Sequence, residues 1–235
     1  MKEKKQTEQF NLESYRYISS YIDDKEKPDL IIPQSLKSKT IETILDVGCG
    51  NGVFLNNWKN FFSTKRAVGI EPSIDGIKLV KKKWQKEKGL NFQSSFAHNL
   101  PFESDSFDLV TAWSVLHWIG RNEYLQSIGE MIRVCSKYLL IMDFVAKKNY
   151  RTPYSHAKGL YTYKQDFENL INASGIMKKL EVMRWWVNPQ NGKVYFLKKD
   201  DLDQFEGNNI SYYARKLVVY EKDYSLLPVK NESDF

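Results

Sequence analysis

Only two cysteines, Cys49 and Cys135, occur in the 235 residues. That is too few for a disulfide framework, and both read as reduced thiols of a cytoplasmic protein. No apolar run approaches the ~20 residues that a membrane-spanning helix needs. The segment Met1-Lys2-Glu3-Lys4-Lys5-Gln6 runs into polar sequence, so no secretory signal is expected. Histidine is scarce: His98, His117 and His156 are the three available. With no metal-ligand spacing among them and the cysteines, the expected chemistry is metal-independent. An acidic balance is lacking too. The net charge is +6 and the pI about 9.0, but the excess is mostly dispersed lysine. Lys81-Lys82-Lys83 reads as one solvated helix face, because Ile77, Val80 and Trp84 supply the apolar stripe. There is no arginine-rich arm and no RNA-binding signature, so nucleic acid is not the expected partner. Nothing in the sequence specifies an oligomeric state.

What the chain has is a core. Hydrophobic residues make up 42% and aromatics 14%, enough to exclude general disorder. From Ile41 to Phe144 the pattern alternates between strand and helix periods. Strands are expected at Ile41–Val47, Arg66–Glu71, Asn91–Ser95, Phe107–Ala112 and Tyr138–Phe144. Helices are expected at Val53–Phe62, Ile74–Lys88 and Glu123–Val134. Such alternation predicts an α/β fold with a mostly parallel sheet and helices on both faces. Before it, Phe10 to Ile22 suits a covering helix, whose Tyr15, Tyr17 and Tyr21 either cap the site or fill a helix core. After it, Val145 to Tyr163 is polar and aromatic and reads as a loop or lid. A short helix holding Phe167, Leu170 and Ile171 follows, then strands at Leu180–Trp186 and Lys216–Glu221. One domain is expected, divided into a helical cap (1–40), a core (41–144) and a lid with the last strands (145–235).

The most informative stretch is Ile44-Leu45-Asp46-Val47-Gly48-Cys49-Gly50-Asn51-Gly52, an apolar strand running into a glycine loop. Glycines there let a ligand approach the backbone, beside a helix N-terminus at the carboxyl edge of a sheet. Glu71 ends the second strand, where the acid of a βαβ nucleotide fold falls and can accept both ribose hydroxyls. Leu100-Pro101-Phe102 with Phe107-Asp108 follows, and then Trp113-Ser114-Val115-Leu116-His117-Trp118 leaves the fourth strand.

Together these pieces resemble the class I S-adenosylmethionine-dependent methyltransferases, in their type 11 small-molecule branch. Asp46, Gly48, Gly50 and Gly52 match the family's D-x-G-x-G-x-G loop, and Glu71 its ribose-binding acid. Leu100-Pro101-Phe102 and Phe107-Asp108 match its L-P-F…F-D signature. Arg133-Val134 matches the start of its R-V-L-K-P-G-G turn, with Cys135-Ser136-Lys137 departing from it. The resemblance covers Ile41 to Phe144. It implies a Rossmann-like, mostly parallel seven-stranded sheet with one antiparallel strand. It also implies S-adenosyl-L-methionine as cofactor, S-adenosyl-L-homocysteine as product and a small-molecule acceptor. It would set the loop Gly48-Cys49-Gly50 against the methionine part, with Asp46 orienting that loop or reaching the amino group through water, and Glu71 on the ribose. Ile70 or Pro72 would touch the adenine, the backbone of Ala97 and His98 would read its edge, and Trp113 would border the methionine end.

Methyl transfer from a sulfonium needs mainly positioning and exclusion of water, with a base where the acceptor is a hydroxyl. His117 and His156 are the two candidate bases. His117 follows the fourth strand, where a structural role at the helix start is the alternative. His156 lies in the lid. Arg151, Tyr154 and Tyr163, with Trp118, are the candidates for binding a polar or anionic acceptor, since a guanidinium fork suits oxyanions. A dinucleotide dehydrogenase is disfavoured because Val53 stands where its third glycine belongs. An RNA methyltransferase and a non-catalytic cofactor binder remain the competing readings.

Overall fold

Five strands pair in parallel in the order β3-β2-β1-β4-β5. They are β1 (Thr43–Val47), β2 (Arg66–Glu71), β3 (Leu90–Ser94), β4 (Phe107–Trp113) and β5 (Cys135–Phe144). The computed structural model describes residues 13–20, 22–23, 31–146, 149–154, 159–188, 191–198 and 214–227. Beyond β5 lie β10 (Arg215–Lys222), β8 (Met177–Val187) and β9 (Val194–Phe196), with β10 antiparallel to both β5 and β8. The sheet therefore has eight strands rather than seven, and a second antiparallel strand. The additional strand, β9, is a three-residue edge whose Val194, Tyr195 and Phe196 are all exposed. Its lack of burial explains why no apolar alternation marks it.

Helices cover both faces. On one face lie a helix over 13–20 (α1), α2 (Val53–Phe62) and α3 (Ile74–Lys83), on the other α4 (Arg121–Val134) and α5 (Phe167–Ala173). Trp58 and Leu55 of α2 and Ile77 and Val80 of α3 are buried, as their helical spacing requires. α3 ends five residues before Lys88. Its C-cap, Trp84, turns inward to donate its indole N–H to the Asn51 carbonyl at 2.7 Å. α1 is anchored by Ile18, which is fully buried and lies 2.6 Å from where a Cβ on Gly76 would stand. Tyr17, by contrast, is exposed, and Tyr21 lies outside the described residues.

The stretch read as a loop or lid contains a hairpin, β6 (Tyr150–Pro153) with β7 (Tyr161–Lys164), detached from the main sheet. At the amino edge of the sheet Asp108 accepts the Glu42 N–H at 2.8 Å and pairs with Lys137 at 2.9 Å. That edge is opposite the glycine loop, so Asp108 serves the fold. The Leu100-Pro101-Phe102 element is fixed by Arg133, which donates to the Leu100 and Phe102 carbonyls, and by Glu130, which accepts the Leu100 N–H.

Candidate active site

The turn after β1 takes its shape from glycines in the left-handed region. Gly48 has φ 73° and Gly50 φ 53°. The N–H groups of Gly48 and Cys49 both donate to the Ile70 carbonyl, at 2.8 and 2.9 Å, which pins the loop over the end of β2. A Cβ on Gly48 would lie 2.4 Å from Val115 Cγ2, so the place of the missing side chain is taken by Val115, which packs directly on the loop.

Two carboxyls are buried beneath this loop. Asp46 accepts the Thr111 hydroxyl at 2.7 Å. Glu71 accepts the Gly50 N–H at 3.2 Å and the Ser14 hydroxyl at 2.6 Å. Burial pushes Asp46 up to about 7, against the Thr111 hydrogen bond and with help from the Glu71 charge. Burial also raises Glu71, against the hydrogen bonds from Ser14 and Gly50. Among the described residues neither carboxyl has an ion-pair partner. The Cys49 thiol, buried beside both acids, is pushed well above its usual range by burial and their charge, which makes it a packing group.

The remaining cofactor candidates line the same edge. Pro72 is half-buried after β2, and its carbonyl accepts the Ser94 hydroxyl at 3.0 Å. Ala97 and His98 sit in a tight turn closed by a bridge between Phe96 and Asn99, with the Phe96 and His98 rings stacked at 5.3 Å. Trp113 ends β4 with its ring 4.1 Å from that of Phe54.

On the far side of β4, a short turn over Leu116–Trp118 buries His117 against β5. Its Nδ1 lies 2.9 Å from Asp143 Oδ1 and its backbone N–H donates to Oδ2 at 3.2 Å. Burial would raise the Asp143 carboxyl. The His117 charge and ring N–H, with the N–H groups of Phe144 and His117, outweigh it and hold Asp143 below the ordinary carboxylate range. An ionised Asp143 holds a proton on Nδ1, so in the neutral ring Nε2 is the acceptor nitrogen. His117, Tyr124, Tyr163 and Lys164 line a narrow crevice here with no room for a water molecule. Within it the Tyr124 hydroxyl is buried with no hydrogen-bond partner among the described residues.

The hairpin packs onto this turn, and Tyr154 meets Trp118 edge-on at 4.8 Å. The structure thus gathers His117, Trp118, Tyr154 and Tyr163. Arg151 is exposed on the hairpin, its guanidinium 4.4 Å from the Tyr161 ring centroid. His156 lies outside the described residues. Asp143, Lys164 and Arg215 are absent from the reading of the sequence. For Asp143 a signal existed, an acid near the carboxyl end of an otherwise apolar strand. Lys164 and Arg215 carry no such mark.

Comparison with known proteins bears on the fold and on the first half of the sheet. Residues 44–137 match a family model described as a methyltransferase domain. Over that stretch the chain carries a methyltransferase domain. Its fold is that of solved S-adenosylmethionine-dependent methyltransferases, one from Methanosarcina mazei superposing with TM-score 0.59 at 14% identity over 82% of this chain and 98% of that one. It is 34% identical over 99 residues to the uncharacterized methyltransferase C70.08c of Schizosaccharomyces pombe, covering 38% of this chain and 34% of that protein. It is 32% identical over 75 residues to malonyl-[acyl-carrier protein] O-methyltransferase of Legionella pneumophila, covering 32% of this chain and 26% of that protein. The matched part is therefore about a third or less of those relatives' length. Among solved structures, the PH0226 protein of Pyrococcus horikoshii superposes with TM-score 0.60 at 19% identity, over 90% of this chain and 99% of that one, which speaks for the fold.

Proposed function

We propose that the chain transfers the methyl group of S-adenosyl-L-methionine to an oxygen of a small polar or anionic acceptor. The observation that carries this is the pair of buried carboxyls, Asp46 and Glu71, beneath a glycine turn at the carboxyl edge of the sheet, neither with an ion-pair partner among the described residues. Buried acids without a cationic partner create a site for positive charge and for hydroxyl donors. The cofactor offers both, a sulfonium with an α-ammonium group and a ribose diol. When bound it supplies an electrophilic methyl on a neutral leaving group.

In this reading Glu71 holds the ribose hydroxyls and Gly48 to Gly50 admit the methionine part. Asp46 orients the loop, Pro72 with Ala97 and His98 borders the base, and Trp113 closes the methionine end. α1 acts as a cap. For a hydroxyl acceptor, His117 Nε2 takes the proton while Nδ1–H stays on Asp143, and Asp143 stabilises the imidazolium. Trp118, Tyr154 and Tyr163 border the acceptor, and Arg151 stands at the hairpin rim. His156 is a second candidate base.

Calorimetric titration with S-adenosylmethionine, S-adenosylhomocysteine and NAD tests the first half. Micromolar binding of the first two and none of NAD is expected; NAD binding alone would overturn the reading. Incubation of a metabolite extract with methyl-labelled cofactor tests the second half, by transfer of label to a small molecule. Label appearing in added tRNA instead would favour the RNA reading.

A further inference from the structure

The ring of Phe144, at the carboxyl end of β5, is surrounded by basic groups. The Arg215 guanidinium carbon lies 4.8 Å from its centroid, Lys164 Nζ 5.2 Å, and the His117 ring meets it edge-on at 4.8 Å. Strand register delivers the first of these. Arg215 opens β10 directly opposite Phe144, with Trp185 of β8 opposite on its other side. β7 delivers the second, since Lys164 is its last residue and is buried. All three therefore meet at the edge of the sheet where open α/β folds bind ligands.

Among the described residues, Asp143 is the acid that acts on both cations. Asp143 spends its oxygens on the His117 ring and on the backbone N–H groups of His117 and Phe144. The next residue along, Lys216, has its own counterion in Glu168. Arg215 has none: its half-buried guanidinium makes no side-chain hydrogen bond or ion pair with any described residue. Lys164 donates to the hydroxyls of Thr152 and Thr162, at 2.9 and 2.6 Å. Burial lowers both basic groups, Lys164 to about 8, against the raising effect of Asp143. Contact with the Phe144 face offsets part of that burial for the Arg215 guanidinium, whereas its five N–H donors are shaped for two oxygens of one anion.

We infer that the acceptor carries an oxyanion, gripped by the Arg215 guanidinium with the Lys164 ammonium beside the ring of Phe144. The word acceptor rests on the methyl-transfer reading above; the oxyanion site itself does not. Carboxylates and phosphate monoesters share the chemistry that these two residues recognise.

The test is calorimetry on the full chain, with and without S-adenosylhomocysteine, using malonate and glycerol 3-phosphate as probes. One of the two is expected to bind, and which one identifies the oxyanion. Arg215→Gln is expected to weaken that probe about tenfold or more, the loss of a charge-assisted bidentate contact. Arg215→Lys, which keeps the charge without the fork, should lose about threefold and decides the matter if Arg215→Gln does not fold. Lys82→Gln, an exposed charge on α3, should change nothing. Absence of binding by both probes overturns the inference, as does an unchanged affinity in Arg215→Lys and Arg215→Gln or an equal loss in Lys82→Gln. Failure of S-adenosylhomocysteine to bind, with the probes still bound, would remove the methyl-transfer reading and leave the oxyanion site standing.

Discussion

The Ser14 hydroxyl donates to Glu71 Oε1 at 2.6 Å while the Gly50 N–H donates to Oε2 at 3.2 Å. A helix near the start of the described chain thus offers an alcohol to the same carboxylate proposed to hold a ribose diol. The carboxylate has about four lone-pair sites, of which Ser14 and Gly50 take one each. A ribose diol spanning Oε1 and Oε2 would meet Ser14 at Oε1, so the two compete for that oxygen's approach. Ser14→Ala is therefore expected to tighten S-adenosylhomocysteine binding several-fold by calorimetry. It should also lower the stability of the ligand-free chain by about 1 kcal/mol, the worth of one internal hydrogen bond. Weaker binding would show that Ser14 assists the cofactor instead.

Glu71→Gln keeps the shape of the side chain and removes its charge. A hydrogen bond to a charged acceptor is worth about 1.5–3 kcal/mol. Cofactor affinity should therefore fall about 10- to 100-fold while the fold persists, as read by calorimetry and circular dichroism. An unaltered affinity would dissociate Glu71 from the ribose.

Gly48 combines a positive φ with a space that a Cβ cannot enter, 2.4 Å from Val115 Cγ2. Gly48→Ala should cost about 1–2 kcal/mol for the backbone conformation and about 1–3 kcal/mol for crowding. Adding Val115→Ala should recover the second part and not the first. Denaturant midpoints of the two variants separate the terms.

How far the sequence revealed all this depends on the range of the interactions involved. The glycine loop, Glu71 and the Leu100-Pro101-Phe102 element were legible because each is specified within one turn of chain. The hairpin was not, since Tyr150–Pro153 and Tyr161–Lys164 pair only with each other and carry no buried alternation. β9 was missed for the same reason. Arg215 gains its meaning only through its antiparallel partner Phe144, and nothing in the flanking Ala214, Lys216 and Leu217 announces that pairing. His117 could be singled out as scarce and well placed, yet Asp143, which fixes its tautomer, belongs to a different strand.

The two buried aspartates should respond to pH with opposite signs. Asp46 is raised from 3.8 to about 7, so the folded state favours its proton. Its contribution to stability is complete below pH 4 and is lost as pH rises through 7. Asp143 is held below its usual range. Its contribution is present above pH 4 and is lost as pH falls through its folded value. Asp46→Asn should therefore flatten the decline in melting temperature of the ligand-free chain between pH 5 and 8, and Asp143→Asn should not. Equal slopes in wild type and Asp46→Asn would refute the assignment.

The His117–Asp143 pair makes the sharpest claim about chemistry. If Nε2 takes the acceptor's proton, His117→Ala should lower kcat about 10²- to 10⁴-fold, the usual contribution of a positioned base. Asp143→Asn should reduce kcat too, because an amide no longer enforces the proton on Nδ1. Both changes lie on the far side of β4 from Glu71, so S-adenosylhomocysteine affinity should stay within about twofold of wild type. An added test separates base from scaffold: His117→Gln preserves hydrogen bonding to Asp143 but cannot accept a proton from a hydroxyl. Turnover near the wild-type level in His117→Gln would reduce His117 to a packing group. Collapse of kcat with intact cofactor binding and an unshifted melting curve would establish it as the base, and would limit the acceptor to one whose hydroxyl must be deprotonated, since a carboxylate attacks the methyl carbon without help.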